Sequence, residues 1–311
     1  MQDNPWHMAP ALVSYPAAGT EKIGLVVDGN IHDAGEILRA VGARDLVGAL
    51  CHWRTIEPVL AELAAGAATT QLASRPLAGA VLGPPLVPGT IYCAGANYVD
   101  HIAEMARVTG QTIVSAKDVG EDPWFFLKAR SAVVGPGAMI ALPRRSLRVD
   151  YEVELAVVIG VVAKDVSVDQ ALDYVAGYTI ADDVSVRDVG RPRTPVGSPF
   201  YYDWISMKNF DGACPLGPGL VPARFVEDPQ HLAIELWVND ERRQSSNTDQ
   251  MIFSIAEQIA WLSSRLTLHP GDVVLTGTPA GVALASGRFL RSGDSVRVRI
   301  ESLGEMSHTF A

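Results

Sequence analysis

The chain has 311 residues, 48% hydrophobic and 19% charged, with a mean hydropathy of +0.15. That is enough apolar material for a large core, as one big domain or a main domain with a small one. A net charge of −10 without any run of Lys or Arg argues against a nucleic acid or an anionic membrane as partner. Residues 1–16 lack the basic-then-apolar order of a secretory signal, and no apolar run reaches the roughly 20 residues of a membrane span. Cys51, Cys93 and Cys214 are scattered without C-x-x-C spacing. They read as reduced residues of a cytoplasmic protein, not as staples or zinc ligands.

Residues 1–82 read as a small N-terminal α+β domain. Two short strands, 23–27 and 31–32, flank the turn Asp28-Gly29-Asn30, and helical patterning follows at 43–50 and 57–65 with Gly66 as a stop. His32 and His52 have no carboxylate or cysteine company at ligand spacing, so both are read as structural. The run Gly83-Pro84-Pro85-Leu86-Val87-Pro88-Gly89 is a rigid connector, and it sets the boundary of a second domain, 83–311.

The second domain opens with a short strand, residues 91–94, that ends in small residues and runs into a helix from Val99. His101 and Glu104, spaced i and i+3, share one face of that helix. A carboxylate beside an imidazole suits a general base, and a surface ion pair is the alternative. The polar segment 109–122, with Gly110 and Gly120, has the character of a mobile lid. After an aromatic strand, residues 123–128, comes Asp150-Tyr151-Glu152-Val153-Glu154 leading into an apolar run, which reads as one buried strand. Alternation puts Glu152 and Glu154 on the same side. Such a pair beside a dry core calls for a proton or a hard divalent cation, unless the strand has one wet face. A second strand, 178–181, delivers Asp182, Asp183, Arg187 and Asp188, so a third carboxylate is at hand for a magnesium or manganese site. Lys208 lies in apolar surroundings, as a group that stabilises an anion does.

The last third reads as strands and one helix. The strand 232–238 precedes an Asn239-Asp240 turn, and a helix over 249–262 carries Met251, Ile252, Ile255, Ile259 and Leu262 as its core stripe. The loop Gly277-Thr278-Pro279-Ala280-Gly281 can hold a carboxylate through backbone donors, and 296–300 reads as the closing strand.

These motifs, in this order, resemble the fumarylacetoacetate hydrolase family. The likeness runs through Asp150 to Gly160, Asp183-Val184-Ser185-Val186-Arg187-Asp188, Lys208-Asn209-Phe210-Asp211, Gln244-Ser245-Ser246-Asn247-Thr248 and Thr276-Gly277-Thr278-Pro279. It spans about residues 88 to 304. The resemblance implies a mainly β fold with few helices (α+β), a roll of packed mixed sheets, and a homodimer. It implies Glu152, Glu154 and Asp183 as ligands of one Mg²⁺ or Mn²⁺ per subunit, and His101 with Glu104 as a lid dyad that activates water. Lys208 falls beside the metal, and Arg187, Thr278, Tyr98 and Lys128 fall on the substrate side. The implied reaction is hydrolysis of a carbon–carbon bond in a 2,4-dioxo acid. Isomerase, hydratase or decarboxylase chemistry on a related 2-oxo acid is the alternative.

Three positions depart from the family pattern. Gly190 stands where some small members carry a glutamine, which speaks against oxaloacetate decarboxylation. Met207 stands where many relatives have glycine. The aromatic segment Phe200-Tyr201-Tyr202-Asp203-Trp204 is atypical, and it predicts a bulkier acylpyruvate than the shortest ones.

Overall fold

The computed structural model describes residues 7–17, 19–66, 72–110, 112, 114–188 and 203–311. Most of the regular structure is strand. An eleven-stranded sheet runs, edge to edge, through Ser74–Pro76, Asn30–Asp33, Thr20–Val27, Ala11–Ala17, Cys214–Pro222, Val175–Asp182, Val153–Ile159, Val273–Leu275, Ile91–Ala94 and Phe125–Lys128, with Val133–Val134 pairing onto Cys214–Pro222. A five-stranded sheet of Glu241–Asn247, Ala233–Val238, Ser295–Ile300, Gly304–Phe310 and Met139–Ile140 packs against it. One contiguous apolar core joins both sheets and the N-terminal helices. The strands before residue 83 therefore extend the same sheet, through the pairing of Leu12 with Leu220.

The hairpin through Asp28-Gly29 forms as expected, with Val27 opposite Asn30. The helices near it lie at Gly35–Ala40, Leu46–Leu50 and Trp53–Ala64. Asp45 starts the second later than the pattern suggested, because its carboxylate accepts the Gly48 N–H at 2.7 Å as an N-cap.

Val153–Ile159 is buried on both faces at the centre of the large sheet, as its continuous apolar run requires. The strand does not continue unbroken from Asp150, however. Three successive N–H groups turn to side chains: Tyr151 to Asp150 (2.9 Å), Glu152 to Asp182 (2.7 Å) and Val153 to Gln244 (3.0 Å). Val149–Asp150 pairs separately with Ser185–Val186. Glu152 thus sits at a break between two strands.

The late helix spans Ile255–Arg265 and starts six residues after the expected point. Ser254 and Glu257 form a reciprocal capping box there. Ile252 and Phe253 instead give their N–H groups to the carbonyl and side chain of Asn97, each at 2.8 Å. Those bonds fix the corner from which the His101 helix departs. Gly304–Phe310, an alternating strand after 295–300, closes the chain.

Candidate active site

Sheet register brings the three expected carboxylates together. Val153 pairs with Asp182, so the flanking residues Glu152 and Asp183 become neighbours, and the Asp183 N–H donates to the Glu152 carbonyl at 2.8 Å. Glu154 lies one residue inside the strand. One oxygen from each of Glu152, Glu154 and Asp183 lies within 4.8 Å of the others, and all three residues are buried.

Buried carboxylates need compensation. Lys208 Nζ bridges Glu152 (2.6 Å) and Asp183 (2.7 Å), and it lies 4.7 Å from the centroid of the Phe126 ring. Arg187 donates to Asp150 at 2.9 Å and also to Glu152. Burial disfavours the charged form of Glu152, but Lys208 and Arg187 outweigh it and lower its pKa. Glu154 is treated differently. It accepts the Gly277 N–H at 2.7 Å, while burial, Asp183 and Glu152 push its carboxyl well above the ordinary range. An all-oxygen, anionic, buried donor set with one under-compensated member fits a hard divalent cation such as Mg²⁺ or Mn²⁺.

His101 and Glu104 lie on the helix Val99–Thr109 as predicted. Their Nδ1–Oε2 separation is 3.9 Å, too long for a hydrogen bond. Glu104 accepts the Gly281 N–H at 2.9 Å instead, and His101 Nδ1 has no hydrogen-bond partner among the described residues. Burial lowers the His101 pKa, which favours the neutral ring, and burial raises that of Glu104. Three backbone donors of the loop 277–281 go to the protein's own carboxylates. Gly277 bonds Glu154, Ala280 bonds Asp100 (3.3 Å) and Gly281 bonds Glu104. Through Gly277 and Gly281 it ties the base helix to the triad. Gly281 must be glycine, with φ +105° and the Arg243 carbonyl 2.0 Å from where a Cβ would lie.

Lys128, expected on the substrate side, turns its ammonium to buried acceptors. Its ammonium has three donors, and they go to Asp183 (2.6 Å), the Val184 carbonyl (3.0 Å) and the Lys208 carbonyl (2.6 Å). It clamps Asp183 and the backbone of Lys208. Lys128→Met should cost about 3–5 kcal/mol, because it takes one of two compensating ammonium groups from buried Asp183 and leaves the Val184 and Lys208 carbonyls without their donor, and denaturant unfolding in chelator would measure that loss. Thr278 is similarly committed: its hydroxyl donates to the Val153 carbonyl at 2.9 Å and accepts from Gln244 at 2.9 Å. Tyr98 is fully buried, and its hydroxyl has no hydrogen-bond partner among the described residues. Of the four expected substrate-side residues, Arg187 keeps its cationic group at the triad. Gly190 and the aromatic residues 200–202 lie outside the described residues. Trp204 begins a short helix, Trp204–Lys208, that delivers Lys208 to the triad.

A model of the fumarylacetoacetate (FAA) hydrolase C-terminal region matches residues 90–311. The chain belongs to the fumarylacetoacetate hydrolase family. The human mitochondrial oxaloacetate tautomerase FAHD2B is 42% identical over 251 residues, covering 77% of this chain and 75% of the relative. Maleylpyruvate hydrolase from Sphingobium sp. SYK-6, solved with manganese(II) and pyruvate, is 31% identical with a TM-score of 0.74, covering 97% and 98% of the two chains. The 2-hydroxyhepta-2,4-diene-1,7-dioate isomerase of Mycobacterium marinum is 28% identical with a TM-score of 0.70, covering 97% and 98%. This family chain is thus similar to hydrolases, isomerases and tautomerases alike.

The sequence reading passed over several residues that build the site. Asp150 is buried and accepts from Ala283 (2.6 Å) and Leu284 (3.0 Å) as well as Arg187. Asp182 takes the Glu152 N–H on one oxygen and His308 Nε2, at 2.9 Å, on the other. Gln244 spans Val153, Thr278 and the Pro279 carbonyl. Asp150, Asp182 and Gln244 lay inside or beside the recognised motifs, which was a usable signal. His308 carried none. The three cysteines are free, with Cys93 and Cys214 buried. Among the described residues, no helix is long and apolar enough to cross a membrane.

Proposed function

We propose that this chain is a divalent-cation-dependent enzyme acting on a 2-oxo acid, and that it hydrolyses the carbon–carbon bond of an acylpyruvate to pyruvate and a carboxylic acid. The observation that carries the reading is a buried three-carboxylate site, with Lys208 bridging two of its members, near His101, whose ring Nδ1 is buried. Glu152, Glu154 and Asp183 would hold the cation, which would supply Lewis-acid stabilisation of developing enolate charge.

The chain's own residues do the rest. His101 takes a proton from water, and the hydroxide oxygen bonds to the acyl carbonyl carbon. The carbon–carbon bond then breaks, its electron pair goes to the pyruvate methylene carbon, and His101 returns the proton there. Glu104, 3.9 Å from His101 Nδ1, balances the transient imidazolium. Lys208 stabilises developing oxyanion charge in a site shielded from bulk water. The likeness to oxaloacetate tautomerases supports a second reading, in which the same base shuttles a proton between carbon and oxygen of a 2-oxo diacid without water attack. A panel of acylpyruvates and enol oxaloacetate, assayed with Mg²⁺, Mn²⁺ and chelator and with products identified, separates the two. Pyruvate release from acylpyruvates is the expected result. Enol loss from oxaloacetate without cleavage of any acylpyruvate would replace hydrolysis by tautomerisation. We also propose that the chain works as a homodimer, which light scattering reads directly, and that it is cytoplasmic, which fractionation of the cells that make it would check.

A further inference from the structure

We propose that the cavity beside His101 receives an apolar acyl tail. The favoured substrate is then a 2,4-dioxo acid with a hydrocarbon or aryl chain, not one ending in a second carboxylate. The inference rests on the 2-oxo acid reading above and names the substrate class within it.

The cavity encloses about 590 Å³, in the range of small-molecule sites, and its wall includes His101, Met105, Val114, Val119, Trp124 and Phe253. It is continuous with the chemistry. Trp124 packs edge-on against Trp204 with centroids 4.8 Å apart and lies 5.7 Å from Phe126, the ring beneath Lys208 Nζ. The backbone at Gly95 fixes this wall, since a Cβ there would lie 1.8 Å from the Trp124 indole. One aromatic surface therefore runs from the bridging ammonium to the apolar cavity, with the base at its edge.

The charges argue against an anionic tail. Among the described residues lining the cavity, the ionisable side chains besides His101 are Glu121 and Asp122, both acidic. Lys117, 5.7 Å from the Phe253 ring centroid, has its ammonium on Glu257 (2.6 Å) and the Ile252 carbonyl (3.3 Å). Arg265 lies 3.4 Å from Asp122. A tail carboxylate would lose hydration against an apolar wall and meet like charge at the rim.

The test uses the full-length, Mn²⁺-loaded protein. Calorimetry gives the affinity of straight-chain 2-oxo acids, which lack the cleavable dioxo unit, beginning with pyruvate and including a 2-oxo diacid of matched length. Affinity should rise about fourfold per added methylene until the cavity is full. The diacid should bind more weakly than the apolar acid of equal length, and Asp122→Lys should shift that ratio toward the diacid. Affinity independent of chain length, or a wild-type preference for the diacid, overturns the proposal. If no 2-oxo acid binds, pyruvate included, the functional reading itself fails and this inference falls with it.

Discussion

Glu154→Gln should abolish stoichiometric Mg²⁺ or Mn²⁺ binding and take turnover to background. The effect is expected to be larger than for any surrounding residue, because of how the three carboxylates are compensated. Glu152 and Asp183 share the Lys208 ammonium, Arg187 adds to the first and Lys128 to the second. Glu154 has the Gly277 N–H, and burial among like charges raises its pKa. It is the carboxylate that most needs a cation, so neutralising it removes both a ligand and the electrostatic demand for one. Loss of an outer-shell partner in a metal site typically costs 10–100-fold in affinity, and loss of a ligand should exceed that. The metal-free variant should be at least as stable as the metal-free wild type, since a disfavoured buried charge is gone. Added Mn²⁺ should stabilise the wild type by about 2.7 kcal/mol at a hundredfold excess over its dissociation constant, and the variant not at all. Calorimetry and thermal unfolding read both outcomes. Unchanged metal binding would show that the triad is not the cation site; absence of binding in the wild type would favour a protein that keeps the fold without the chemistry.

His101→Ala should lower kcat by about 10²–10⁴-fold, the usual contribution of a general base, while leaving the cation affinity intact. The separation is physical. Among the described residues, the triad's hydrogen bonds run to Lys208, Lys128, Arg187 and backbone groups, and none runs to His101. The pH profile provides an independent readout. Burial moves the His101 pKa below its ordinary value of 6.5, so the reactive neutral form is already dominant at pH 7. As pH falls through that lowered value the ring gains a proton and cannot act as a base, so kcat/KM should drop on the acid side. The alanine variant should lose the part of the acid limb that His101 causes. A fully active variant would remove His101 from the mechanism. Because Glu104 bonds the Gly281 N–H in this conformation, its orienting of the imidazole requires a shift that closes the 3.9 Å gap.

The sequence by itself determined those features whose signal is local. Uninterrupted apolar residues from 155 to 159 announce a strand buried on both faces, and the structure has that strand at the centre of the large sheet. The i, i+3 spacing of His101 and Glu104 places both on one helical face, alternation paired Glu152 with Glu154, and only the family resemblance singled out Asp183 as the third carboxylate. Tertiary structure decided which partner each charge and backbone donor receives. Alternation alone put Glu152 and Glu154 on one unbroken strand. In the fold, side chains of Asp182 and Gln244, 30 and 91 residues away, capture the N–H groups of Glu152 and Val153 and break the ladder at that point. The acceptors of the buried Lys128 ammonium lie 55 to 80 residues along the chain, beyond the reach of any local pattern. Three donors of loop 277–281 likewise go to Asp100, Glu104 and Glu154, 123 to 180 residues away. Periodicity records which face of an element is buried. It holds no information about which distant groups satisfy that element's polar atoms, and in a buried, charged site those pairings determine the chemistry.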